Sequence, residues 1–268
     1  MGLIGSLQRR IDRLLPLRGS MPALTYFRTK RTPSFQVGET ELFGTPLWFS
    51  NTEGLFHSYE EIFKTRVYDF RAETDSPTII DAGANIGLSV IFFKKLYPNC
   101  NIIAFEPDPD IFQLLVKNVQ AHRFSNVDLR DVAAWINDDE LTFYSEGSLS
   151  GSIKVDFLGA GNVKKVKACR LKDVLTEFAG IDFLKIDIEG AETDVLTDIE
   201  SELHRVEYLF FEYHSTYDRP QTLGDLLSLA TRAGFRYVIN GTHGPHLPFI
   251  ERRSSTYDIQ MNVSCFRL

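Results

Sequence analysis

The chain has 268 residues, 43% hydrophobic and 24% charged. That is the composition of a folded globular protein and excludes a disordered or collagen-like chain. The formal charge of −7 excludes a broad basic footprint for nucleic acid, and no apolar run reaches the ~18–20 residues of a membrane span.

Residues 1–31 carry seven Arg and Lys against Asp12 alone, a net +6 on a body of −13. Leu3, Ile4, Leu7, Ile11, Leu14 and Leu15 recur there at helical spacing opposite arginines, until Pro16 and Gly19 end the pattern. A basic amphipathic helix over 1–18 suits peripheral contact with the inner face of an anionic membrane. Packing of its stripe on its own domain or in a homo-oligomer is the alternative. Three dispersed cysteines without Cys-x-x-Cys spacing exclude a disulfide framework and suit the cytoplasm.

Residues 32–75 read as short strands, turns and a helix from Tyr59 to Phe70, which with the arm make an N-terminal extension over 1–75. Trp48, Phe49, Phe56 and Tyr59 are either core or a stacking surface for a sugar. From residue 76 to 268 strands and helices alternate. Strands are expected at Thr78–Asp81, Asn101–Phe105, Val127–Ala133, Asp182–Asp187, Val206–Tyr213, Phe235–Ile239 and Asp258–Phe266. Helices are expected at Gly87–Leu96, after Asp108, at Ala191–His204 and at Thr222–Ala233. Strands Leu141–Tyr144 and Val163–Arg170 flank a Gly/Ser-rich loop that contains Ser145–Ser152. Such alternation means parallel βαβ units in one open α/β domain.

Open parallel sheets bind ligands at the carboxyl ends of their strands. Asp81-Ala-Gly83-Ala-Asn85-Ile-Gly87 lies at such an end, and Glu106 follows the next strand. A carboxylate at Glu106 can accept both hydroxyls of a ribose. A dinucleotide loop would show Gly-x-Gly-x-x-Gly, with bare amides for a pyrophosphate. This loop lacks that spacing, and Asp81 would repel a pyrophosphate. Asp81 suits instead an ammonium group, such as the methionine end of S-adenosylmethionine. Glycines at 83 and 87 would let the backbone approach that ligand closely.

Four blocks, Asp81 to Gly87, Phe105-Glu-Pro-Asp-Pro109, Lys185-Ile-Asp-Ile-Glu-Gly-Ala-Glu192 and Glu212-Tyr-His214, resemble the signature of FkbM-type methyltransferases. The resemblance implies a class I methyltransferase fold: a Rossmann-like, mostly parallel seven-stranded sheet with helices on both faces. It implies S-adenosylmethionine-dependent O-methylation, with a carbohydrate or glycosylated natural product as acceptor. Asp81 and Gly83 would then hold the methionine end, Asn85 and Gly87 would shape the loop, and Glu106 would bind the ribose. Asp131 and Ala133 would flank the adenine.

O-methylation needs the hydroxyl proton removed by a base or the alkoxide held by a metal. Asp187, Glu189, Glu212 and His214 fall at the ends of neighbouring strands, about 4.8 Å apart. Asp187, Glu212, His214 and Lys185 are the candidate catalytic residues, with His214 as base. Asp187, Glu212 and His214 alternatively form a triad for Mg²⁺ or another divalent ion. Lys185 either touches substrate or pairs with an acid such as Glu212. Glu192 sits where it would complement the positive end of the next helix. His243 and His246 lie in a loop that could border the substrate; the other histidines read as structural. An NAD-dependent oxidoreductase and an inactive Rossmann-like binding protein are the competing functional classes.

Overall fold

The computed structural model describes residues 21, 25, 27, 29–33, 36–144, 163–217, 219–244, 247, 249–250 and 257–268. The basic stretch 1–18, the loop 145–152 and His246 lie outside them. Among the described residues no helix is long and apolar enough to cross a membrane.

The first elements are a hairpin of β1 (Gly38–Leu42) and β2 (Thr45–Phe49) and a helix α1 (Thr52–Tyr59). The Asn51 side chain caps α1 by accepting from the Glu53 amide at 3.0 Å. A π-helical turn, Glu60–Thr65, continues it. The helix therefore starts before the expected Tyr59 and stops before Phe70. It stops because Arg66 turns left-handed (φ 61°) and its guanidinium pairs with Asp69 at 2.9 Å. Tyr68 and Phe70 then drop into an aromatic cluster with Phe93, Phe183 and Phe210.

Next come β3 (Thr78–Ala82), α2 (Leu88–Leu96), β4 (Asn101–Phe105), α3 (Pro109–Ala121) and β5 (Val127–Arg130). A three-stranded side sheet follows: β6 (Ala133–Trp135), β7 (Glu140–Tyr144) and β8 (Val163–Arg170). The chain returns through α4 (Leu171–Thr176), β9 (Ile181–Ile186), α5 (Glu192–Ile199), a 3₁₀ turn (Glu200–Arg205) and β10 (Val206–Thr216). It ends with α6 (Leu223–Arg232), β11 (Arg236–His243) and β12 (Tyr257–Phe266).

The main sheet has the order β11-β12-β10-β9-β3-β4-β5. All its pairings are parallel except those of β12, which is antiparallel to β10 and β11. This is the seven-stranded, mostly parallel sheet expected of a class I methyltransferase. Alternate residues serve opposite faces, as strand geometry requires. Ile79 and Phe210 pack with α2 and α3, while Ile80, Leu209 and Phe211 pack with α5 and α6. The N-terminal hairpin shares the first of these cores, through Leu42, Leu47 and Phe49. Asn118 of α3, fully buried, clamps it there by bonding the Trp48 amide, the Trp48 carbonyl and the Ile86 carbonyl at 2.8–2.9 Å. Phe49, Phe56 and Tyr59 are thus core, and the half-buried Trp48 carries Lys117 over its ring.

Four expected elements differ in extent. Strand β11 runs past the expected Ile239 to His243, so His243 is a strand residue and not part of the loop. The strand expected over Val127–Ala133 is two: the β5 ladder to β4 ends at Arg130, and Ala133 pairs with Ala168 in the side sheet. The helix after Ala191 tightens to 3₁₀ geometry at Glu200, as helix ends often do. Strand β10 runs past Tyr213 to Thr216, because β12 pairs with it as far as Tyr257. His214 is therefore a strand residue.

Candidate functional site

The chain order reverses between β3 and β9, which places a crevice at the carboxyl ends of these strands. A cavity of about 300 Å³ opens there. Glu106 follows β4, and Glu212 and His214 lie on β10, three strand spacings away. That is about 14 Å, the scale of an extended small molecule.

At the β4 side, the loop after β3 satisfies its own amides. Gly83 and Ala84 donate to the Phe105 carbonyl at 3.1 and 2.9 Å, and Gly87 to the Ala84 carbonyl at 2.9 Å. Asn85 donates to Glu106 Oε2 at 2.9 Å, and Ile86 to Asn85 Oδ1 at 2.7 Å. No amide from 83 to 87 is left bare for a phosphate. Glu106 Oε1 also accepts from the Asp108 amide at 2.9 Å. Burial pushes the Glu106 carboxyl up to about 8 against the pull of these two amides. Ile86, Ile111, Ala133 and Phe143 supply apolar wall beside it.

At the β10 side the wall is made of charges. Lys185, 3% exposed, lies 3.2 Å from Asp81 Oδ1 and 3.3 Å from Asp187 Oδ2, and donates to the Gly83 carbonyl at 2.8 Å. Burial works against the Lys185 ammonium, but Asp81 and Asp187 hold its pKa above the usual value. The His214 ring, 1% exposed, has Nδ1 3.1 Å from Glu192 Oε1. Its Nε2 is 3.4 Å from Glu189 Oε2 and 3.9 Å from Glu212 Oε1. Burial lowers the His214 pKa, but Glu189, Glu192 and Glu212 outweigh it and keep the ring protonated well above the ordinary range. Burial and the neighbouring Asp187 push Glu212 up to about 8, with His214 pulling back. Glu189 reaches the ring from a left-handed backbone (φ 55°), a conformation a non-glycine residue adopts at a cost.

The expected site residues fall in three groups. Gly83, Asn85, Glu106, Ala133, Lys185, Asp187, Glu212 and His214 all line the cavity. Asp187, Glu212 and His214 each offer a ligand atom within 4.8 Å of the others, so the expected triad converges. Asp81 and Gly87 stand behind the wall. Asp81 is fully buried, accepting from Ser89 Oγ at 2.5 Å and facing Lys185. It therefore organises Ser89 and Lys185, which do line the cavity. Asp131 is exposed and lies outside the lining residues.

Two expectations about causes change. The acids that pair with Lys185 are Asp81 and Asp187, because its side chain points toward β3 rather than β10. The two glycines answer to protein neighbours as well as to the expected ligand. A Cβ at Gly83 (φ 87°) would sit 1.8 Å from the Asp187 carbonyl oxygen, and one at Gly87 (φ 91°) 2.7 Å from Leu115 Cδ1.

Sequence reasoning missed Glu61, Tyr68 and Ser89 in the cavity wall. Glu61 sits on the π-helical turn and accepts from Asn262 Nδ2 of β12. Burial raises its carboxyl above the usual range. The one signal available was the acid pair Glu60-Glu61 before the apolar Ile62-Phe63. π-Helical turns often mark functional positions, but a sequence does not announce them.

Comparison with known proteins gives a consistent picture. The profile of the methyltransferase FkbM domain matches residues 81–237. Methyltransferase 1 of Beauveria bassiana is 31% identical over 166 residues, covering 54% of this chain and 67% of that protein. The 31-O-demethyl-FK506 methyltransferase FkbM of Streptomyces tacrolimicus is 29% identical over 214 residues, covering 67% and 81%. The hexuronic acid methyltransferase AglP of Haloferax volcanii is 28% identical over 187 residues, covering 65% and 74%.

Proposed function

The chain belongs to the FkbM methyltransferase domain family, and on that premise we propose that it is an S-adenosylmethionine-dependent O-methyltransferase acting on a hydroxyl of a sugar or glycosylated natural product. The observation that carries this reading is one cavity joining Glu106 to the Asp187–Glu212–His214 cluster. It puts a carboxylate suited to a ribose and groups suited to a hydroxyl proton in the same cavity. The acceptor class draws on the relatives whose names specify a hexuronic acid and 31-O-demethyl-FK506.

The residues fit the cofactor. Glu106 would hold the ribose hydroxyls, and the apolar wall of Ile86, Ile111, Ala133 and Phe143 would take the adenine. The carboxylates of Glu61, Asp187, Glu189 and Glu212 favour a cationic ligand. When bound, S-adenosylmethionine supplies an electrophilic methyl group on a sulfonium. The satisfied amides of residues 83–87 speak against a dinucleotide at the same place.

The chain's own groups handle the rest. Asp187 and Glu212 face the cavity beside His214, and Glu212, with its pKa raised to about 8, is in its ionised form matched to taking the proton of an acceptor hydroxyl. Lys185 holds Asp187 in place through a 3.3 Å ion pair. Lining by Ser50, Asn51, Ser58 and Glu61 from the N-terminal elements supplies polar groups for a hydroxylated acceptor. Alignment of the acceptor supplies part of the rate.

The convergence of Asp187, Glu212 and His214 favours a second reading of the same chemistry. Two carboxylates and an imidazole are a donor set suited to Mg²⁺ or Mn²⁺. Such an ion would stabilise the alkoxide by charge.

The test is transfer of labelled methyl from S-adenosylmethionine into fractionated glycan and glycoside extracts, with and without chelator. Label in an alkali-stable methyl ether supports the reading. Label confined to an ester, an amine or no product contradicts it. Activity that survives chelation assigns the proton to the carboxylates alone; loss with recovery on Mg²⁺ or Mn²⁺ assigns the ion.

A further inference from the structure

Glu192 was expected to complement a helix end, and in part it does. Its Oε1 accepts from the Ile188 and Gly190 amides at 3.2 and 3.0 Å, and Oε2 accepts from Gly190 at 3.1 Å. Those bonds tie Glu192 to the 188–190 turn that precedes α5, while its charge sits in the first turn of the helix. They do not account for the third donor on Oε1, His214 Nδ1 at 3.1 Å. Both side chains are 1% exposed.

We propose that Glu192 is a positioning residue, whose carboxylate fixes the His214 ring by Nδ1 and so presents Nε2 alone to Glu189, Glu212 and the acceptor. This deepens the methyltransferase reading and rests on it. Both Glu192 oxygens already accept backbone amides, so the carboxylate meets the ring as an acceptor and Nδ1 is the donor. The backbone of the 188–190 turn holds the carboxylate from the other side, so its orientation is set independently of the ring. Glu189, in the same turn, closes on Nε2. Nε2 is thereby left toward Glu189 and Glu212, at 3.4 and 3.9 Å. The contact at Nδ1 thus decides which ring atom serves the reaction, as partners on the far nitrogen do for metal-bound histidines.

Nitrogen-15 NMR of ring-labelled protein tests this directly, with the His214 signal identified by its loss in His214→Asn. Nδ1 is expected to carry a proton hydrogen-bonded to Glu192 in the wild type at neutral pH. It stays protonated in Glu192→Gln, whose amide oxygen still accepts. In Glu192→Ala Nδ1 loses its acceptor, so the ring gives up its Nδ1 proton at lower pH and keeps the one on Nε2, and kcat falls by about 10- to 100-fold with the cofactor KM within threefold. A bare Nδ1 in the wild type overturns the proposal, even where Glu192→Ala fails to fold. An unchanged ring signal in Glu192→Ala overturns it too. The spectrum needs no cofactor, so its outcome is separable from failure of the methyltransferase reading, which cofactor binding decides.

Discussion

The cavity's two ends are built by different means. Around Glu106 the wall is backbone: five consecutive amides from Gly83 to Gly87 find acceptors within the loop, β4 and Glu106. Around His214 the wall is side chain against side chain: six titratable groups, Lys185, Asp187, Glu189, Glu192, Glu212 and His214, meet there. Backbone bonds fix shape and depend little on identity at each position. A charge cluster depends on every member, because removing one leaves another buried and unpaired. The first construction suits holding an invariant cofactor; the second suits moving a proton.

The largest effect is expected at the charged end. His214→Ala should lower methyl transfer by roughly 10²- to 10⁴-fold while S-adenosylhomocysteine affinity stays within threefold. Turnover and calorimetry on one preparation check both. Loss of cofactor affinity instead would erase the division between the ends.

Gly83→Ala tests the backbone end. The added Cβ meets the Asp187 carbonyl at 1.8 Å in a left-handed conformation. A loss of about 3 kcal/mol is expected, which would lower the melting temperature by roughly 6–12 °C. An unchanged melting curve would mean that the loop is not held as tightly as its bonds imply.

Glu106→Ala should weaken S-adenosylhomocysteine binding by about 10- to 100-fold, the cost of hydrogen bonds to a charged group. The sign of its pH dependence follows from its raised pKa. Unfolded, the group releases its proton near 4.5; folded, at about 8. Its contribution to stability is therefore full below 4.5 and lost as pH rises through 8. Ribose hydroxyls bind the ionised form, so affinity should tighten about tenfold from pH 7 to pH 9. The same titration in Glu106→Gln should be flat. An equal slope in both would remove Glu106 from the ribose.

The smallest effect is at Asp131. Exposed and away from the cavity wall, its change to Ala should move S-adenosylhomocysteine affinity by less than about twofold, within the range of surface substitutions. A larger loss would restore it to the adenine.

What the sequence could and could not reveal follows the same division. Strand periodicity marked where strands were expected to end, and those expected ends located Glu106, Asp187, Glu212 and His214, although β10 runs on to Thr216. The alternation could not tell a residue in the cavity wall from one a layer behind it. Asp81 ends its strand as Glu106 nearly does, yet it is sealed under Ser89 and Lys185. Nor could spacing tell why a glycine is needed, since the atom that excludes a Cβ at Gly83 lies 104 positions away at Asp187. Glu61 was invisible because it reaches the cavity from the N-terminal elements, outside the βαβ pattern. Glu192 read as a helix-end acid, and only the register of β10 beside α5 brings His214 to it.

The central claim, a sulfonium nucleoside cofactor at the Glu106 end, is tested most directly by calorimetry of the full chain with S-adenosylhomocysteine and with NAD⁺. Saturable binding of S-adenosylhomocysteine, weakened in Glu106→Ala, with no heat from NAD⁺, is the predicted result. Binding of NAD⁺ without S-adenosylhomocysteine would contradict it.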